Sequence, residues 1–82
     1  MSNEQLLHRI HSDVSVLGGK PVIRGTRLAV DHILNLLAHG ASNKEILAEY
    51  DGLVAEDIQA CLLFAAQALS STSFMPLETK SA

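Results

Sequence analysis

Eighty-two residues, almost half of them apolar but with no Trp, one Tyr and two Phe, make one small domain whose core must be aliphatic. A formal net charge of −3 excludes a general polycation that coats nucleic acid indiscriminately. The single cysteine, Cys61, excludes an intramolecular disulfide, and its neighbours Ala60, Leu62, Leu63 and Phe64 mark it as a small buried hydrophobe rather than a reactive thiol.

In chain order, the first thirty residues read as short extended segments. His8-Arg9-Ile10-His11 is an expected strand, Asp13 to Gly19 a turn region, and Pro21 to Arg24 a second strand ended by Gly25-Thr26. Two strands this short are marginal alone and need a helical layer or a partner's strand. A first helix is expected over about Val30 to His39, because Val30, Ile33, Leu34 and Leu37 recur at helical spacing. Gly40 stands where a left-handed glycine ends a helix, and His39 in the last turn suits the helix dipole. Ser42-Asn43-Lys44-Glu45 reads as a capping box that opens a second, short helix with Ile46, Leu47 and Tyr50 inward. Asp51-Gly52 stops it. A third helix runs from Val54 or Ala55 to about Leu69, with Glu56 and Asp57 favoured in its first turn. Its expected inward stripe is Ile58, Cys61, Leu62, Ala65 and Leu69.

A helix that is apolar nearly all round is buried on more than one side. In so small a domain the extra side points to a homodimer, with Leu63, Phe64 and Ala66 as candidate interface residues. From Ser70 the composition turns polar. The chain therefore divides into one domain, 1–69 (strands and turns over 8–29, three helices over 30–69), and a flexible tail, 70–82. Phe74, Met75 and Leu77 are the tail's apolar residues and candidate partner-binding anchors. No apolar run is long enough to span a bilayer, and Met1-Ser2-Asn3-Glu4 lacks a signal peptide's basic start. A cytoplasmic protein without a membrane partner is expected.

The most informative segment is Gly18-Gly19-Lys20-Pro21-Val22-Ile23-Arg24-Gly25-Thr26-Arg27. It holds half of the chain's six cations. Arg9, Lys20, Arg24 and Arg27 against Glu4 and Asp13 put residues 1–30 at +2, whereas Lys44 and Lys80 against seven acids put residues 31–82 at −5. Lys20, Arg24 and Arg27 are thus the candidate nucleic-acid-binding residues, with Lys20 placed where two glycine N–H groups could join it around a phosphate. The competing structural reading makes them solvated edge charges, or partners of acids such as Asp31 across a dimer. A nucleotide-binding loop is excluded, because proline follows Lys20 where that motif requires Ser or Thr.

Three helices with a tight Gly-containing link resemble a helix-turn-helix. The third helix is nevertheless a poor reader of bases, since it offers only Gln59 and Gln67 beside two acids. The four histidines have no metal-site spacing, and no hydroxyl or thiol has a base and an orienting group beside it. No metal, no cofactor and no enzyme activity are expected.

The run GGKPVIRGTRLAVDHILNLLAHGASNKEILAEYDGLVAEDIQACLLFAA resembles the domain-of-unknown-function 433 family over roughly residues 8–69. The anchors are GKPVIRGTR, the helix ending at Gly40, the Ser42 to Glu45 helix start, and Tyr50, Leu53 and Glu56-Asp57-Ile58. The resemblance implies a mainly α, homeodomain-like three-helix domain with a short N-terminal β-element, usually dimeric. It also implies kinship with VapB-type antitoxins, which are encoded beside PIN-like ribonuclease toxins. Gly19, Lys20, Pro21, Arg24, Gly25, Thr26 and Arg27 fall on the family's distinctive segment. One departure is visible. Val54 stands where the family has a capping Thr, so the third helix must fray or find another acceptor such as Asp51. The expected function is a non-enzymatic antitoxin-like module that binds a partner toxin and operator DNA; the alternative is a dimeric interaction or scaffold domain without DNA binding.

Overall fold

The computed structural model describes residues 1–70. Its elements, in chain order, are α1 (Asn3–Leu7), β1 (Ile10–His11), a 3-10 turn (Leu17–Gly19), β2 (Val22–Ile23), α2 (Val30–Ala38), α3 (Asn43–Glu49) and α4 (Ala55–Ser70). The fold is mainly helical, with a two-stranded antiparallel sheet. Among the described residues four helices form, not three, and the extra one precedes the hairpin.

The short α1 corrects the reading of the N-terminus as extended or featureless. Ser2 Oγ accepts from Gln5 N–H at 3.1 Å, and Gln5 Oε1 accepts from Ser2 N–H at 2.9 Å. This reciprocal pair is a capping box, and it nucleates a helix too short to be stable by itself. What holds α1 is its packing against α4, with Leu6 laid on the core.

The hairpin pairs Ile10 with Ile23 and His11 with Val22, within the two expected strands. A further bridge from Val22 to Ala29 folds the chain back on itself before α2 begins. That reversal is a β-turn in which Thr26 N–H donates to Ile23 O at 3.0 Å. Gly25 takes the third position with φ +83°, the conformation such a turn demands. Thr26 Oγ1 locks it, donating to Ile23 O at 2.7 Å and accepting from Leu28 N–H at 3.0 Å. The Gly-Thr pair therefore has a structural task.

The helical half follows the sequence pattern closely. His39 is the C-cap of α2, and Gly40 follows with φ +96°. Ser42 and Glu45 form the expected capping box, at 3.1 and 2.8 Å. Ile46 is buried, while Leu47 and Tyr50 are half-buried. The core joins Ile10 and Ile23 of the hairpin to Val30, Ile33, Ile46, Leu53, Ile58, Ala60 and Cys61. It is aliphatic, as composition requires.

The start of α4 finds its acceptor within its own first turn. Asp57 Oδ2 accepts from Val54 N–H at 3.0 Å, the carboxylate half of a capping box, and Asp57 N–H, which a capping Thr would have received, donates instead to Val54 O at 2.9 Å. The same carboxylate receives Arg9 Nη1 on Oδ1 at 3.0 Å. Asp57 is the only buried charged residue among those described, and both of its oxygens are satisfied.

The inward stripe of α4 is a second correction. Asp57, Ile58, Ala60 and Cys61 are buried, whereas Leu62 and Leu69, expected inward, are 50% and 59% exposed. The physical reason is α1. It packs along α4, where Ala60, outside the expected stripe, is fully buried and Leu62 is left exposed.

Candidate functional site

The three cations of the central segment separate into two places. Lys20 and Arg27 line one open groove of about 530 Å³, together with Leu17, Asp31, His32 and Asn35. Arg24 lines a different depression, with Arg9, His8 and Asp57. The turn at Gly25 causes this: it reverses the chain between Arg24 and Arg27, so the two guanidinium groups leave in different directions.

Arg24 is tied down. Its Nε donates to His8 O at 2.7 Å, and its backbone N–H donates to Arg9 O at 2.7 Å. It clasps the end of α1 to the hairpin. Lys20 reaches the first turn of α2, where Nζ lies 3.1 Å from Asp31 Oδ2. This pairing occurs within one chain rather than across a dimer. Both side chains are about three-fifths exposed, so the bond contributes little to stability and is open to exchange. Arg27 is exposed, and its guanidinium has no hydrogen bond or ion pair to the described residues.

The glycine cradle is a third correction. Of the two glycine N–H groups expected beside Lys20, that of Gly19 donates to Val16 O at 3.0 Å and is not offered to a phosphate; the N–H of Lys20 itself donates to Leu17 O at 3.3 Å. Gly18 and Gly19 have φ +67° and +93°, and Leu17 joins them at +50°. A leucine in the left-handed region costs roughly 1–2 kcal/mol. The tight turn that carries this strain sets Leu17 and Lys20 at the groove's rim.

Two groove residues, His32 and Asn35, were not singled out by their sequence as partners of the cations. The signal was their spacing: Asp31, His32 and Asn35 share one exposed face of α2. His32 Nε2 lies 2.8 Å from Tyr50 Oη, with the rings edge to face at 6.0 Å, which fixes the imidazole against α3's last turn. Asn35 Nδ2 donates to Asp31 O at 3.0 Å. Ala29, the N-cap of α2, lines the groove and has no capping side chain; the backbone satisfies the helix start instead, Val30 N–H donating to Pro21 O at 2.9 Å and His32 N–H to Ala29 O at 3.1 Å.

The remaining candidates scatter. Phe64 packs on its own chain's core and Leu63 is half-buried, while Ala66 is exposed. Phe74, Met75 and Leu77 lie outside the described residues. His8 and His11 do not meet His32 or His39, and His39 Nδ1 donates to Asn35 O at 2.8 Å. Among the described residues no group of three His, Cys, Asp or Glu is placed to hold a metal ion. No helix among them is long and apolar enough to cross a membrane. Cys61 is fully buried, and burial, with a smaller effect from the Asp57 carboxylate, pushes its thiol up to about 11. It is not a nucleophile at neutral pH.

A hairpin-fronted, mainly helical domain with two cations gathered at one helix's N-terminus is the class that these features define. The chain belongs to the DUF433 family, whose model, described as a protein of unknown function, matches residues 10–65. A crystal structure of a DUF433 member protein from Anabaena variabilis is similar, with a TM-score of 0.73 and 35% sequence identity. That match covers 83% of this chain and 67% of the other. No curated protein is a significant match.

Proposed function

We propose that this chain is a non-enzymatic, antitoxin-like module of the VapB type, with α2, α3 and α4 as its homeodomain-like unit. It binds the DNA phosphate backbone through Lys20 and Arg27, and a PIN-like toxin through Phe74, Met75 and Leu77. The observation that carries the DNA half is the groove at the head of α2. There an exposed guanidinium with no partner among the described residues and an exchangeable ammonium converge beside the first turn of α2. Such groups position a phosphate and carry no base sequence. The exposed face of α4, with Gln59 as its polar residue among Ala55, Leu62, Ala66 and Leu69, supports backbone contact over base readout. The toxin half rests on the resemblance to VapB-type antitoxins and on the tail's apolar residues.

The groove also favours a second reading. Asp31 stands in it, 60% exposed, and its carboxylate repels phosphate. With a net charge of −3, this supports an interaction or scaffold domain that binds no DNA. A mobility shift on the DNA upstream of the chain's own gene at low salt separates the two. Binding that is lost in Lys20→Ala/Arg27→Ala and kept in Arg24→Ala supports the DNA role. Absence of binding, or binding unchanged in the double variant, refutes it. For the toxin, co-purification with the product of the adjacent gene is expected, and a neighbour that neither associates nor slows growth when expressed alone refutes that half.

A further inference from the structure

We infer that the depression beside α1 and the hairpin is a binding site for a carboxylate, held between the guanidinium groups of Arg9 and Arg24. The depression has a volume of about 380 Å³ and is bordered by Met1, Gln5, His8, Arg9, Arg24 and Asp57. Each arginine is anchored through one side-chain nitrogen. Arg9 Nη1 donates to Asp57 Oδ1 at 3.0 Å, and Arg24 Nε to His8 O at 2.7 Å. Nε and Nη2 of Arg9 and both Nη groups of Arg24 have no acceptor among the described residues. The acceptors around them are already engaged: Asp57 Oδ2 by Val54 N–H, Arg9 O by Arg24 N–H, and Gln5 Oε1 by Ser2 N–H. Gln5 Nε2 adds one more donor on the α1 side. The depression therefore has donors in excess, and an oxyanion is the group that complements them.

The anchoring bonds also settle the side chains before any ligand arrives. Arg9, 33% exposed, leans on a carboxylate that is almost fully buried, and Arg24 is clasped to the end of α1. Less rotamer freedom is then lost on binding. Charge and shape select a carboxylate over a phosphate. Two guanidinium groups against the one Asp57 carboxylate leave a single positive charge in the depression, which a singly charged planar group matches edge to edge. A phosphate dianion exceeds that charge and is repelled more strongly by Asp57. The depression is separate from the groove of Lys20 and Arg27, so the inference rests on neither DNA nor toxin binding. Its ligand is the carboxylate of a free organic acid or of an Asp or Glu side chain on another protein. Both guanidinium groups stay open to water on one side, which places the affinity for an isolated carboxylate in the millimolar range.

The test follows the arginine Nε–Hε and glutamine side-chain resonances of the full 82-residue chain by nitrogen–proton correlation NMR at constant ionic strength. The probes are sodium acetate and the capped tripeptide acetyl-Ala-Glu-Ala-amide, with sodium chloride and acetyl-Ala-Gln-Ala-amide as controls. Acetate and the Glu peptide are expected to move the Arg9, Arg24 and Gln5 signals saturably at millimolar concentration, and the controls to leave them in place. Equal affinity for the two probes assigns the site to free acids; tighter binding of the Glu peptide assigns it to a protein side chain. Arg24→Gln, checked for an unchanged backbone spectrum, is expected to weaken binding about tenfold, whereas Lys20→Ala/Arg27→Ala leaves it unaltered. The wild-type titration decides the matter even where Arg24→Gln disturbs the hairpin. No saturable shift, an equal response to the Gln peptide, or binding undiminished in a folded Arg24→Gln overturns the inference. Inorganic phosphate that binds at the same signals more tightly than acetate overturns the choice of a carboxylate.

Discussion

The carboxylate of Asp57 joins Arg9, in the turn between α1 and β1, to the start of α4, and removing it gives a worked expectation. In Asp57→Ala, Val54 N–H loses its acceptor, which costs about 1 kcal/mol by analogy with other helix-start caps. Arg9 loses its 3.0 Å partner across 48 residues of sequence. A hydrogen bond to a charged group contributes ~1.5–3 kcal/mol, reduced here because the Arg9 side chain is 33% exposed and water replaces part of the interaction. Together the loss is about 2–3 kcal/mol, which for a domain of this size lowers Tm by roughly 10–20 °C. Arg9→Ala is expected to cost a similar amount by a different route, since it strands a carboxylate that is 9% exposed. Asp57→Asn keeps an acceptor for Val54 and is expected to fall between wild type and Asp57→Ala. Thermal and urea unfolding followed at 222 nm, analysed as two-state, measure all three. If both alanine variants stay within about 0.5 kcal/mol of wild type, as neutral surface changes do, the pair does not fix α4 and the reasoning fails.

Three further outcomes follow from individual residues. Gly25→Ala is expected to destabilise by about 1–2 kcal/mol in the same unfolding assays. No atom lies within 4 Å of the added Cβ, so the cost is that of holding alanine at φ +83°; an unchanged Tm contradicts the turn assignment. Cys61 has a thiol raised in the folded state to about 11, so the folded chain holds that proton more tightly than the unfolded one. Its stabilising effect is complete below the unfolded value near 9 and is lost as pH rises toward 11. Wild type is expected to lose ~2 kcal/mol relative to Cys61→Ala across that interval, and parallel pH curves refute it. Asp31→Asn removes the acid from the groove and frees Lys20. If the groove takes phosphate, affinity is expected to rise about fivefold, the equivalent of ~1 kcal/mol for one charge at close range, and weaker binding refutes that placement.

Local rules made the helical half legible. A capping box, a terminal glycine and aliphatic spacing act within a few residues, so Ser42, Glu45 and Gly40 declare themselves in the sequence. The same rule held at Ser2 and Gln5, where the signal was present but the helix it opens is only five residues long. The misses were long-range. Nothing local tells that Arg9 will meet Asp57, and without α1 the buried face of α4 cannot be phased. The grouping of Lys20, Arg24 and Arg27 failed for a related reason. Adjacency in sequence is not adjacency in space when Gly25 reverses the chain between them. That Val54 cannot cap with its side chain was legible; the compensating bonds, Val54 N–H to the Asp57 carboxylate and Asp57 N–H to Val54 O, lie in the turn after it rather than at Asp51 before it.

The central claim is that Lys20 and Arg27 meet DNA phosphates while Arg24 does not. The slope of log affinity against log salt concentration, measured by fluorescence anisotropy on a labelled duplex, tests it most directly. Each phosphate contact adds about 0.9 to that slope on B-form DNA. The account predicts that Lys20→Ala and Arg27→Ala each lower its magnitude by nearly that amount, and that Arg24→Ala leaves it unchanged. A slope that Arg24→Ala lowers and Arg27→Ala does not, or no measurable binding at low salt, contradicts it.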